Sequence, residues 1–457
     1  MRRRGLHSHR RTAARARAAL LAALAAGVLA LAARGADAAP NILVIVTDDQ
    51  RDGTLDVMPA TQRIFFRHGR TFRPSFVTTP LCCPSRASIF TGLFAHNHGI
   101  RTNGSADLPQ LLTMQRYLHD AGYQTAFLGK YLNSWPLDQD PPYFDRWAVV
   151  HPDSYWDGRF NVDGRVRTLP GYVTDVLAAR SVRDLRTFER SDERPWFLYV
   201  APTAPHRPAK PAPKYADATV PSWHPSPGVL ERDRSDKPPW VRRQHGSLAG
   251  ARAFRAQQLR TLMSVDDLVT RVFHELGSLG ERHRTIAMFL SDNGIFWSEH
   301  GLGKKGAAYT EAVSVPMALR WPGHVAPGID RRNATNIDVA PTMLAAAGLT
   351  PSDPMDGRSL LDSWTRPVIF TESWAHFGHL GIPRWKGVRT ARAQYVEYYS
   401  DDFSQIVFRE YYRLKQDPWE LHNLLHDGIQ TNNPDVSRLQ QWITQYRDCA
   451  GTSCPGW

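Results

Sequence analysis

The 457-residue sequence predicts an α/β fold built on a large, mostly parallel central sheet sandwiched by helices, and three observations predict it. Four apolar runs stop abruptly at polar residues. Residues 41–46 stop at Thr47-Asp48-Asp49, residues 125–128 at Gly129-Lys130, residues 196–200 shortly before Ala204-Pro205-His206, and residues 285–290 at Ser291-Asp292-Asn293-Gly294. Continuous apolar runs suit strands buried on both faces, as in a parallel sheet. Between them, residues 111–121, 172–189 and 255–279 have helical spacing, the last through Leu259, Leu262, Met263, Asp266 and Val269. Strand and helix in alternation imply right-handed crossovers.

Taken from the start, residues 1–38 stand apart from this fold. They hold eight arginines and one aspartate, an uncharged Ala/Leu-rich run over residues 18–33, and a small-x-small stretch at Ala36-Asp37-Ala38. That is the layout of a cleaved export signal, and the apolar run is short for a membrane span. An uncleaved anchor is the competing reading, and Arg10-Arg11 leaves both general and twin-arginine export open. A secreted or periplasmic location follows, with no stable membrane span. Removing the segment lowers the formal charge from +12 by seven, to +5. A mildly basic protein suits an anionic substrate, and no nucleic-acid-binding module is visible. Hydrophobic content of 42% and charged content of 22% exclude a disordered chain.

The predicted catalytic domain spans residues 39–362. Within it, the Pro-rich stretch 202–240 with Arg232, Arg234 and Lys237 reads either as an ordered loop on the rim of the site or as a solvated excursion. From residue 363 to 457 the texture changes to short strand-like segments rich in Tyr, Val and Arg. A final amphipathic helix near residues 434–446 follows, predicting a smaller α+β C-terminal domain. Cys449 and Cys454 bracket a short loop and read as a disulfide in an exported protein. Cys82 and Cys83 are adjacent, where a mutual bond would be strained, so they need another explanation.

In open α/β sheets ligands collect beyond the carboxyl ends of the strands. Asp48, Asp49, Lys130, His206, Asp292 and Asn293 all follow such ends and are expected to meet in space.

The string Leu81-Cys82-Cys83-Pro84-Ser85-Arg86, followed by Thr91-Gly92, resembles the signature of the sulfatase family. The resemblance implies an alkaline phosphatase-like fold. It also implies that Cys82 is oxidised to formylglycine by a dedicated generating enzyme that reads this local sequence. A hydrated aldehyde carries two hydroxyls: one attacks sulfur, and the other later loses its proton as the aldehyde reforms and sulfate leaves. Position by position, the resemblance implies a metal site of Asp48, Asp49, residue 82, Asp292 and Asn293. An all-oxygen set of this kind favours calcium, with magnesium possible. It further implies that Arg86 contacts the formylglycine hydroxyl and Lys130 the transferring sulfate. His206, in Ala-Pro-His, would bind sulfate and protonate the leaving oxygen. Lys305 matches by its spacing to Tyr309 and Val315-Pro316, with Lys304 as a rival.

One departure concerns the base for sulfate release: many sulfatases have a histidine where this chain has Leu132. Gly129-Lys130-Tyr131-Leu132-Asn133 and His96-Asn97-His98 resemble instead the branch containing the N-acetylglucosamine-6-sulfatases. His98 is a candidate base or a structural histidine. Residues 414–424, with Asp417-Pro418, Glu420 and Asn423-Leu424, resemble the family's closing segment. The expected function is therefore hydrolysis of sulfate monoesters, ahead of all on sulfated sugars. A broad arylsulfatase, a phosphate or phosphonate ester hydrolase, and a non-catalytic binder of sulfated glycans remain as alternatives.

Overall fold

The computed structural model describes residues 39–152, 154–190, 194–375 and 380–455. The expected export signal, residues 1–38, lies outside them. Among the described residues no helix is long and apolar enough to cross a membrane.

Ten strands form the main sheet: β1 (Asn41–Thr47), β2 (Arg70–Phe72), β3 (Gln124–Gly129), β4 (Arg146–Val150), β5 (Arg159–Val162), β6 (Arg165–Thr168), β7 (Trp196–Ala201), β8 (Thr285–Ser291), β9 (Met317–Arg320) and β10 (Gly328–Asp330). Their spatial order is β10-β2-β9-β8-β1-β7-β3-β4-β5-β6. The five central strands, β8-β1-β7-β3-β4, run parallel, and they include all four apolar runs read from the sequence. Towards the edges the pairing turns antiparallel, at β9 on one side and at β5 and β6 on the other.

Side chains alternate across each strand, which explains why the central runs are apolar throughout. Leu198 and Val200 join a core with Leu43, Ile45, Leu177, Leu185, Leu262 and Val269. The last four belong to helices α3 (Val173–Phe188) and α4 (Leu248–Ser278). On the opposite face Tyr199 meets Phe90 at 4.9 Å between ring centroids, and Phe90 lies on helix α1 (Cys82–Thr91). Helices α2 (Met114–Asp120) and α5 (Val339–Ala346) complete that layer. Each fully buried Leu, Ile or Val contributes about 1.5–3 kcal/mol. Asp266, polar yet buried in α4, is accounted for: its carboxylate accepts the N–H groups of Ala60 and Thr61, at 3.0 and 2.6 Å.

A separate antiparallel sheet follows: β11 (Ile369–Ser373), β12 (Arg384–Arg389), β13 (Ala393–Tyr399) and β14 (Ile406–Arg413), in that order. Helix α6 (Ser437–Arg447) packs on β12, and Cys449 and Cys454 are disulfide-bonded. This sheet shares a core with the segment carrying Lys305. Trp385, Val396, Tyr398 and Tyr412 pack with Phe296, Leu302 and Tyr309.

Candidate active site

The carboxyl ends of four adjacent parallel strands converge on the amino end of α1. Thr47 pairs with Ser291 across β1 and β8, so Asp48 and Asp292 leave the sheet at one level. Asp49 turns into a left-handed backbone, φ 65°, and its N–H donates to Asp292 Oδ1 at 3.1 Å. Asn293 Nδ2 donates to Asp49 Oδ1 at 2.6 Å. The chain then passes so close to Glu311 that a Cβ on Gly294 would stand 2.1 Å from the Glu311 carbonyl oxygen. Gly129 is equally constrained, with φ 117° and a hypothetical Cβ 2.0 Å from the Ala201 carbonyl oxygen. That close passage brings Lys130 beside the end of β7, where its N–H donates to Ala201 O at 2.9 Å.

Cys82, the first residue of α1, is fully buried. Its Sγ lies 3.5 Å from Asp48 Oδ1 and 2.8 Å from Lys305 Nζ. One helical turn later, Arg86 donates from Nε to Asp292 Oδ2 at 2.8 Å and from Nη1 to the Lys130 carbonyl at 2.6 Å. Asp48 Oδ2 lies 2.5 Å from Lys130 Nζ and 3.3 Å from Arg86 Nη2. These are close charge contacts that lack hydrogen-bond alignment. Lys305 also pairs with Asp49. His206 Nδ1 donates to the Arg207 carbonyl at 2.6 Å, and Nε2 faces Asp49 Oδ2 at 3.7 Å. A carbonyl can only accept, so the neutral ring carries its proton on Nδ1 and leaves Nε2 basic.

Burial pushes the Asp48 carboxyl up, yet Lys130, His206, Arg86 and Lys305 together hold it well below the usual carboxylate range. Asp292 goes the other way, raised by burial and by Asp48 despite Arg86 and Lys305. Burial works against charge on Lys130 and Lys305, but Asp48 and Asp49 respectively outweigh it and raise both lysines. Burial and then Asp48 push the Cys82 thiol well up. As a plain thiol it would be a weak nucleophile.

The donor set fits a hard divalent cation. The ligating atoms of Asp48, Asp49, Cys82 and His206 lie within 4.8 Å of one another. Asn293 Oδ1 is buried with no hydrogen-bond partner, the state expected of an oxygen reserved for a metal. Three carboxylates (Asp48, Asp49, Asp292) face three permanent cations (Arg86, Lys130, Lys305). A divalent ion would therefore leave positive charge in excess, as an anionic ester requires.

Of the residues singled out in the sequence, Asp48, Asp49, Cys82, Arg86, Lys130, His206, Asp292, Asn293 and Lys305 are all brought together. Lys304 is exposed, and its neighbour Lys305 is the one that reaches Cys82. His98 faces elsewhere. Its Nδ1 accepts the Ile100 N–H at 3.0 Å, and its Nε2 contacts Ser88 Oγ at 3.1 Å. Leu132 is buried. The loop 202–240 corrects the rim reading in part. Lys237 is buried against Glu231, Asp236 and the Leu421 carbonyl, and Arg234 donates to the carbonyls of Gln244 and His300. Both brace the fold. The segment 414–424 does the same, with Glu420 accepting the Thr310 N–H at 2.9 Å and pairing with Arg389 at 3.2 Å.

Sequence reasoning missed Asn103 and Arg207. Both line the 260 Å³ cleft over Asp49, His206 and Lys305. Arg207 adjoins a recognisable histidine and could have been found that way. Asn103 belongs to no motif, and only tertiary contact with Cys83, whose N–H it accepts at 2.9 Å, reveals it.

The family described as Sulfatase matches residues 40–349, and that described as N-sulphoglucosamine sulphohydrolase, C-terminal, matches residues 298–448. An extracellular sulfatase Sulf-1 homolog of Caenorhabditis elegans is 33% identical over 71% of this chain, which spans 49% of that relative's length. The N-acetylglucosamine-6-sulfatase of Homo sapiens is 28% identical over 91% of this chain and 86% of its own length. A protein solved with its substrate D-glucosamine-2-N,6-O-disulfate superposes with a TM-score of 0.76 at 24% identity, covering 89% of this chain and 96% of that one.

Proposed function

The chain belongs to the sulfatase family, and from that premise we propose that it hydrolyses sulfate monoesters on sulfated sugars of the glycosaminoglycan type. The proposed nucleophile is a formylglycine at position 82, and the proposed metal is calcium held by Asp48, Asp49, Asp292 and Asn293. The observation that carries the reading is the position of Cys82 Sγ, 2.8 Å from Lys305 Nζ and 3.5 Å from Asp48 Oδ1 at the ends of parallel strands. The resemblance to a human N-acetylglucosamine-6-sulfatase over nearly its full length supports the sugar class. The extracellular relatives support secretion.

The metal, when bound, would supply a Lewis acid for the sulfate oxygens and for the oxygen at position 82. The chain's own residues do the rest. Lys305 and Arg86 flank position 82 and hold its hydroxyl in line. Lys130 supplies fixed positive charge to the sulfate in a buried site, where each charge counts for more than in water. His206, fixed by its bond from Nδ1 to the Arg207 carbonyl, presents Nε2 beside Asp49. As the imidazolium, having taken a proton on Nε2 from solvent, it would give that proton to the leaving sugar oxygen and return to the neutral Nδ1–H form.

The test is direct. Protein from its native host, assayed on 6-sulfated N-acetylglucosamine and on an aryl sulfate, is expected to turn over the sugar ester. Mass analysis of the tryptic peptide containing residue 82 is expected to show an aldehyde. An unmodified thiol with no turnover of either ester overturns the reading, and turnover of the aryl ester alone rejects the sugar class.

A further inference from the structure

Two cations stand at the mouth of the site without a role in the chemistry above. Arg207 and Lys304 line the 260 Å³ cleft over His206 and Lys305, and both also line a neighbouring 430 Å³ cleft. The two clefts therefore meet at these side chains. Arg207 is held in place: its guanidinium stacks on Phe254 at 3.6 Å from the ring centroid, and Nη2 donates to the Gly303 carbonyl at 3.0 Å. A planar guanidinium fixed on one edge keeps its other N–H donors available to a ligand. Among the described residues neither Arg207 nor Lys304 makes an ion pair with a carboxylate.

The second cleft is built differently from the first. No carboxylate lines it. Gln244, His245 and Ser247 offer polar groups, and Phe254, Phe296 and Trp297 offer apolar faces. The space beside Gly303 is open, since an added Cβ there would meet nothing within 4 Å. Polar donors beside aromatic faces in a roomy, cationic-rimmed cleft suit a second sugar-sized body carrying negative charge.

We propose that Arg207 and Lys304 form a second anion subsite, which reads a sulfate or carboxylate next to the sulfate ester being cleaved and makes the enzyme selective for multiply charged glycans. This rests on the sulfatase reading for its first subsite, but the second is recognised by binding alone. The two cations are specificity-determining and touch no reacting atom.

Three probes separate the sources of the second charge: 6-sulfated N-acetylglucosamine, 6-sulfated glucosamine with an N-sulfate in place of the acetyl group, and a disaccharide joining a uronate to the 6-sulfated N-acetylglucosamine unit. The native enzyme is expected to prefer at least one doubly charged probe by about tenfold in kcat/KM, falling as salt rises. Which probe is preferred tells whether the second charge sits on the same ring or the next. Arg207→Gln and Lys304→Gln are each expected to reduce that ratio severalfold, and the double variant to bring it near one. A native ratio near one, or a ratio that both variants leave unchanged, overturns the subsite. Calorimetric binding of the same probes to Cys82→Ala protein tests the subsite without turnover. Selective binding that Arg207→Gln abolishes supports it even if no sulfate ester is hydrolysed, in which case only the hydrolytic reading falls.

Discussion

Lys305 Nζ stands 2.8 Å from Cys82 Sγ while also pairing with Asp49, so one ammonium spans the nucleophile position and the acidic cluster. Removing it takes positive charge from the point where the reaction gathers negative charge. Lys305→Ala is expected to lower kcat by about 10²–10³-fold with a smaller change in KM, as steady-state kinetics on a simple sulfate ester would show. An effect confined to KM would mean that Lys305 only binds the substrate.

Asp48, Asp49 and Asp292 supply the carboxylate oxygens that would hold a divalent cation. Chelation is expected to abolish activity and added calcium to restore it. Asp48→Asn is expected to raise the calcium concentration for half-maximal activity at least about tenfold, because affinity follows ligand charge. Titrating chelated enzyme with calcium and magnesium in parallel checks this. Activity that survives exhaustive chelation would refute the metal site.

The four strand ends were legible because strands buried on both faces must be apolar throughout, and the residue that breaks the run then marks the rim of the sheet. The signature around Cys82 was legible because it is local. Less local features were not. The exposed strand β6 carries Arg165 and Arg167 and no apolar stripe, so only the Asp163-Gly164 pair, both at positive φ, hinted at a hairpin. Helix α4 begins at Leu248, seven residues before the apolar spacing suggests, because Ser247 caps it by accepting the Gly250 N–H. Arg234 and Lys237 looked like rim charges, since nothing in their surroundings along the chain announces Leu421 or His300 as partners.

His98 predicts an acid-side instability. Burial pushes it down to about 3, and protonation would cost it the Ile100 N–H that Nδ1 accepts. A histidine depressed in the folded state contributes stability above its unfolded value, near 6.5, and loses it as pH falls towards 3. Between pH 7.5 and 5 that is about 2 kcal/mol. The nearby His96 is raised, with Glu372 outweighing its burial, so its contribution is lost only as pH rises above 6.5. Urea unfolding of His98→Gln is expected to show a shallower fall between pH 7.5 and 5 than the native protein. Equal slopes would sink the assignment.

Glu311 predicts the opposite trend. Burial and Glu299 push its carboxyl up to about 7, and its Oε2 is buried without a hydrogen-bond partner. Ionising it in the fold therefore costs stability as pH rises from 4.5 through 7. Glu311→Gln is expected to be neutral or stabilising at pH 8 and mildly destabilising at pH 5, on the order of 1 kcal/mol, measured by thermal unfolding at both values. Destabilisation at pH 8 that matches pH 5 would rule this out.

Cys82 has no exposed surface in the folded chain, and α1, Lys305 and the acidic cluster close around it. Any external catalyst that rewrites this side chain must therefore meet the polypeptide while the segment is still extended. For the conversion proposed at position 82, folding would set the deadline, and a molecule that folded too soon would keep its thiol.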